Sequence, residues 1–226
     1  MIQLFENRSI ISFSDFINEM AYPSEFNIDE FKSIKTYSGR IEYANRKLRG
    51  VLGSGSSRAV FKIDDNMCLK VAINPKGISQ NNEEINNTNI GDSMNYPVLA
   101  KIYDYDQDGD TWLEMELAKR ISSPKRFKEL THMSFDEIPD FLHMSRSENP
   151  RNGILTKEMF DVYINDENSW ARTLSDFVND FDYPIPGDFD RLSSYGEVTR
   201  DGEQVCVIID YGASKHVISL HYNNKR

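Results

Sequence analysis

The feature that most constrains this chain is the loop Leu52-Gly53-Ser54-Gly55-Ser56-Ser57-Arg58-Ala59-Val60-Phe61. It is followed by the apolar run Leu69-Lys70-Val71 and, far downstream, by Ile208-Ile209-Asp210-Tyr211-Gly212. Glycines between strands let backbone N–H groups come close to phosphate oxygens with no side chain in the way. A lysine inside an apolar strand is costly to bury unless its ammonium meets an anion, either a phosphate or a carboxylate. An Asp-x-Gly after a later hairpin fixes a carboxylate at a strand end, where a hard divalent cation could use it. Each piece alone is weak: the loop also reads as a plain turn, and the lysine as one on an exposed strand face. Their order along the chain is the one a nucleotide-phosphate site requires.

With 226 residues, 39% hydrophobic and 12% aromatic, the chain can bury a core in one domain or two small lobes. Acidic residues outnumber basic ones by 36 to 26, a net charge of −10, which disfavours nucleic acid and anionic membranes and favours a basic partner. Acids and bases are interspersed, which also disfavours mimicry of DNA by carboxylates at phosphate spacing. Cys68 and Cys206 sit in apolar runs, as small hydrophobes do, and imply a reducing compartment. There is neither a signal-like start nor an uncharged apolar stretch of roughly 18 residues, so a soluble cytoplasmic protein is expected. The histidines, His132, His143, His216 and His221, have no metal spacing, and no Ser-His-Asp or Cys-His arrangement is visible.

Residues 1–47 show helical spacing, with Phe13, Phe16, Ile17 and Met20 on one face and Phe31 and Ile34 on another, and read as an N-terminal helical extension. Residues 48–118 read as a small β lobe. Its hairpin, Ala59 to Ile63 and Met67 to Ile73, turns at Asp64-Asp65-Asn66. A helix is expected within 80–89, and a second antiparallel pair, Val98 to Tyr103 and Thr111 to Leu117, turns at Asp108-Gly109-Asp110. Residues 119–226 read as mostly helical, with Ser123-Pro124 as one start, Ser134-x-x-Glu137 as a capping box and a clear helix over 168–181. A last hairpin around Asp201-Gly202 delivers Asp210. The class is therefore α+β, with two lobes.

These residues resemble the N-terminal lobe of the protein kinase-like superfamily, which includes protein kinases and aminoglycoside-type phosphotransferases. The resemblance implies ATP and Mg2+ as cofactors. Gly53 and Gly55 would cover the phosphates, and Lys70 would grip them, held by Glu84 or its neighbour Glu83. Trp112 to Ala118 is similar to the family's hinge, with Met115 behind the adenine and the backbone of Glu116 and Ala118 on its edge. Asp210-Tyr211-Gly212 resembles the metal-binding Asp-Phe-Gly. Gly187-Asp188-Phe189-Asp190-Arg191-Leu192-Ser193 takes the place of the catalytic loop, with Asp188 facing the acceptor hydroxyl and Asp190 its rival. Each of these also has an ordinary reading, as solvated acids or turn aspartates.

The departures shape the expected function. Arg58 replaces the loop's third glycine, and its guanidinium could itself contact phosphate. Pro186-Gly187 precede Asp188 in place of His-Arg, and Ser193 takes the place of the second metal ligand, an asparagine. Gly212 lies 14 residues from the end of the sequence, which leaves no room for an activation segment or a peptide-substrate platform. The compact size and Asn-rich texture resemble those of phage or bacterial effector-type kinases. The expectation is an ATP- and Mg2+-dependent phosphotransferase acting on a protein, itself included, or on a small-molecule hydroxyl. The alternative is a pseudokinase that serves as a protein-binding scaffold or inhibitor.

Overall fold

The first hairpin is apolar on both faces of its strands, through Ala59-Val60-Phe61 and, but for Lys70, the whole of Met67 to Ala72, so that both faces of the sheet must be covered. The computed structural model describes residues 22–48, 50–89, 96–147, 149–167, 169–180 and 187–221, with the side chains at 89, 187 and 188 outside the description. The strands β1 (Val51–Ser54), β2 (Arg58–Lys62), β3 (Met67–Ala72), β4 (Ile102–Tyr105) and β5 (Trp112–Glu116) form an antiparallel sheet in the order β1-β2-β3-β5-β4. β3 lies at its centre and is buried throughout, with Lys70 opposite Val60 on β2 and Leu113 on β5.

One face is covered by α1 (Ile28–Ser33) and α2 (Tyr37–Lys47), capped by Asn27 and Thr36. Phe26, Phe31, Tyr43 and Leu48 pack there against Phe61, Leu69, Val71 and Trp112. The segment through Phe13, Phe16, Ile17 and Met20 lies outside the described residues. The other face is covered by α3 (Pro75–Asn89). This helix begins five residues before the expected Gln80, because Asn74 accepts from Gly77 N and Pro75 suits a first turn. Its Gly77 is forced by proximity: a Cβ there would stand 2.1 Å from the Ser57 carbonyl.

Past the sheet, β6 (Lys119–Arg120) joins β7 (Tyr195–Arg200) and β8 (Glu203–Ile208) in a second antiparallel sheet. Asp201 and Gly202, both at positive φ, make the two-residue turn between β7 and β8. Between β6 and β7 lie α4 (Pro124–Thr131), α5 (Ile138–Met144), α6 (Lys157–Asn165) and α7 (Trp170–Asp180). α4 is capped by Ser123, the Ser134–Glu137 capping box precedes α5, and α7 buries Ala171, Leu174, Phe177 and Val178. A final helix, α8 (Lys215–His221), which periodicity did not predict, packs on α3. The α+β, two-lobed class therefore holds.

One expected strand is displaced. Residues 98–101 do not extend β4. Instead Leu99 bridges Ile208 in parallel, and Ala100 N donates to the Ile208 carbonyl at 3.0 Å. The expected strand over Val98 to Tyr103 is thus shortened: Val98 lies in a turn and Leu99 pairs with the C-terminal hairpin, since pairing is a long-range property that local pattern does not carry. Arg200 closes the same seam, donating to the Leu99 carbonyl at 2.8 Å and to Glu116 Oε1 at 3.2 Å.

Candidate nucleotide cleft

The two limbs of the glycine loop differ in how they are held. Ser57 Oγ donates to Gln80 Oε1 at 2.5 Å, the Ser57 carbonyl accepts from Ile73 N, and Asn74 Nδ2 donates to the Ser56 carbonyl. The second limb is thus tied to β3 and α3. The first limb, β1, is exposed along its whole length, and Gly55 N donates to the Arg58 carbonyl to close the turn. A Cβ at Gly53 would meet nothing within 4 Å, and one at Gly55 only the Arg58 carbonyl at 3.9 Å. Neither glycine is demanded by packing, and neither takes a positive φ. What they provide is open space over the sheet.

Beneath that space Lys70, only 5% exposed, points its ammonium at Glu84 on α3, with Nζ 2.9 and 3.1 Å from the two carboxylate oxygens. Nζ also donates to the Ile209 carbonyl at 2.7 Å, which ties the central strand to the chain just before Asp210. Glu84 is fully buried and takes a second cation, Arg58, whose Nη1 is 2.9 Å from Oε1. Glu83 has no part in this contact, so of the two candidates Glu84 is the one that meets Lys70. Arg58 continues to Asp210, Nη2 to Oδ1 at 2.6 Å, and the aspartate side chain is 47% exposed. Burial works against the Arg58 charge, but Glu84 and Asp210 outweigh it and hold the guanidinium above its ordinary value.

The elements enclose a cleft of about 480 Å³, within the size range of small-molecule sites. It is lined by Gly53 and Gly55 from the loop, Lys70 from β3, Met115, Glu116 and Ala118 from β5 and its exit, and Ser193 and Asp210 from the C-terminal lobe. The sequence singled out all eight. The Glu116 side chain is turned toward Arg200 and Lys101 N, so its carboxylate serves the seam between the lobes. The cleft does not gather Asp190, which is exposed in the turn Gly187–Asp190 and does not line it. Asp188 shares that turn, and its side chain lies outside the described residues.

Several lining residues were not assigned to the site by the sequence: Leu52, Val60, Cys68, Gln80 and Arg120. Burial pushes the Cys68 thiol up to about 11, so it lines the cleft as a neutral hydrophobe. The Asp-Tyr-Gly triplet is fixed by packing. Tyr211 is buried and donates to the Ala100 carbonyl at 3.0 Å, and a Cβ on Gly212 would stand 2.5 Å from the Gln80 carbonyl. That close approach brings α3, and Glu84 with it, against the chain after β8.

The shape and donors fit a nucleotide: open space beneath glycines, two buried cations and an apolar strand exit. Among the described residues they do not assemble a site for a resident magnesium ion. Glu84 and Glu116 are turned to other partners, Oδ1 of Asp210 already accepts from Arg58, and Ser193 adds only a hydroxyl. A divalent ion on Asp210 would stand against that guanidinium. Among the described residues no group of three or more His, Cys, Asp or Glu could hold a metal. Among them, too, no helix is long and apolar enough to cross a membrane.

This chain is similar in structure to aminoglycoside phosphotransferases. The enzyme APH(2'')-IIa, solved as a ternary complex with streptomycin and ATP, is 16% identical, with 80% of this chain and 72% of that one covered at a TM-score of 0.35. ADP-bound APH(2'')-Ib is 14% identical, over 76% of this chain and 69% of that one, at a TM-score of 0.36. SAICAR synthase from Saccharomyces cerevisiae, complexed with SAICAR, is 9% identical over 71% of this chain and 72% of that one, at a TM-score of 0.35. No protein-family model and no curated protein matches the sequence. These likenesses are remote, and the chemistry rests on the residues of the cleft.

Proposed function

We propose that the chain binds ATP in this cleft and transfers its terminal phosphoryl group to an acceptor hydroxyl, on a protein or a small molecule. The observation that carries the reading is Lys70: a buried ammonium at the centre of the sheet, held by Glu84 and facing the space beneath Gly53 and Gly55. A lysine placed there only for stability is a poor choice, because well-packed apolar side chains usually do as well or better.

In this reading the adenine lies against Val60 and Met115, with its edge on the backbone of Glu116 and Ala118. Gly53 and Gly55 lie over the phosphates, and Lys70 and Arg58 neutralise them. The acceptor oxygen attacks the terminal phosphorus, its proton passes to Asp188, with Asp190 the rival, and ADP leaves with the bridging oxygen. Positioning and charge neutralisation supply most of the rate in such a transfer. In this reading residues 48–118 form the nucleotide lobe and 119–226 bring the acceptor side, while α1 and α2 support the sheet from behind. The acidic surface suits a basic protein partner.

The test is ADP release and labelling from γ-labelled ATP, with and without magnesium, for wild type and Lys70→Met. The substitution is expected to lower turnover by on the order of 10²- to 10³-fold. Wild type that neither turns over ATP nor gains melting temperature from it would sink the reading. A second reading, a scaffold that binds nucleotide without transferring phosphate, is favoured by the Arg58 hold on Asp210. It predicts a thermal shift and no ADP.

A further inference from the structure

Arg58 opens β2 and folds its guanidinium inward, 8% exposed, into the wall of the cleft that holds Lys70. Nη1 meets Glu84 Oε1 at 2.9 Å and Asn81 Oδ1 at 3.4 Å, and Nη2 meets Asp210 Oδ1 at 2.6 Å. These contacts use three of the guanidinium's five N–H groups. Asn81 is itself fixed, since Nδ2 donates to the Asp110 carbonyl at 2.8 Å. The cation is thus held from three sides before any ligand arrives.

A carboxylate beside a phosphate site repels the phosphate unless a cation stands between them. We propose that Arg58 is that cation: it holds Oδ1 of Asp210, one of the two oxygens a divalent ion would use, so that the cleft binds a nucleoside triphosphate without metal. The inference rests on the nucleotide reading of the cleft and adds to it the means of charge neutralisation. Asp210 then serves to aim the guanidinium, the remaining Arg58 donors face the phosphate oxygens, and the Lys70 ammonium, its three N–H groups held by Glu84 and the Ile209 carbonyl, adds its charge. A planar guanidinium suits this role because it can meet two phosphate oxygens at once and is always charged. A merely structural ion pair would fix the loop just as well but would leave nucleotide binding dependent on magnesium.

The experiment is calorimetric titration of the full chain with ATP, once in EDTA and once in magnesium chloride. Wild type is expected to bind with dissociation constants within roughly threefold of each other. Arg58→Ala is expected to lose on the order of tenfold or more in EDTA and to recover in magnesium, because Asp210 is released to hold the ion. Arg58→Lys, which keeps the charge, is expected to retain most of the binding in EDTA. Wild type that binds ATP in magnesium and not in EDTA overturns the inference and leaves the nucleotide reading standing. Wild type that binds ATP in neither buffer overturns both. The wild-type pair of titrations decides the matter even where Arg58→Ala fails to fold.

Discussion

The two faces of the five-stranded sheet are built from alternate residues of the same strands, and they bury carboxylates in opposite ways. On β3, Met67, Leu69 and Val71 face the N-terminal helices, while Cys68 and Lys70 face the cleft. Behind the sheet Glu114 is 1% exposed, and the Tyr22 hydroxyl donates to it. In the cleft Glu84 is equally buried and has two cations within 3 Å. A buried acid with one neutral partner is a cost that the fold tolerates. A buried acid between Lys70 and Arg58, at the edge of open space, is an assembled device. Burial alone does not mark a site; the proposed function rests on opposed charges held beside the space beneath the glycines.

The comparison predicts that damage behind the sheet and damage in the cleft separate in kind. Trp112→Ala removes the ring that packs on Phe31 at 6.0 Å and carries the Lys32 ammonium at 5.0 Å. It should cost about 4 kcal/mol of stability, measured by denaturant unfolding. The fraction that remains folded should keep its affinity for ATP; a specific loss of binding by that folded fraction would mean the faces are coupled. Glu84→Gln leaves two cations facing a neutral amide, and should cost about 3 kcal/mol while also weakening ATP binding. Full stability with full affinity would remove Glu84 from the site.

Most of the cleft was legible because its parts are local signals in a fixed order. Glycines between β-branched runs, a strand lysine and an Asp-Tyr-Gly are each read within a few residues, and the α+β class follows from the texture between them. Illegible were the features set by approach between distant segments. Leu99 pairs with Ile208 in place of extending β4, Arg58 reaches Asp210, and Gly77 and Gly212 are glycines because backbone passes within ångströms of them. Arg58 was read as a departure from a glycine pattern, and its side chain turned out to be a wall of the cleft. The packing of α1 and α2 on the sheet was likewise invisible, since an apolar stripe does not name what it covers.

The smallest predicted effect sharpens the contrast between the two acids. Burial raises the Glu114 carboxyl to about 7 from an ordinary 4.5, and the hydrogen bond from Tyr22 opposes the rise without cancelling it. The folded chain therefore holds this proton to higher pH than the unfolded chain does. Below about 4.5 both states carry it and the difference vanishes. Between about 4.5 and 7 the unfolded state releases it first, so stability is lost as pH rises, and above 7 the loss is complete. With allowance for relaxation around the buried charge, the loss should be about 2 kcal/mol. Glu114→Gln carries no proton to release and should flatten that part of the melting-temperature profile, gaining stability over wild type at pH 8 and not at pH 4. A wild-type profile whose slope survives the substitution would place the titrating group elsewhere than on the outer face.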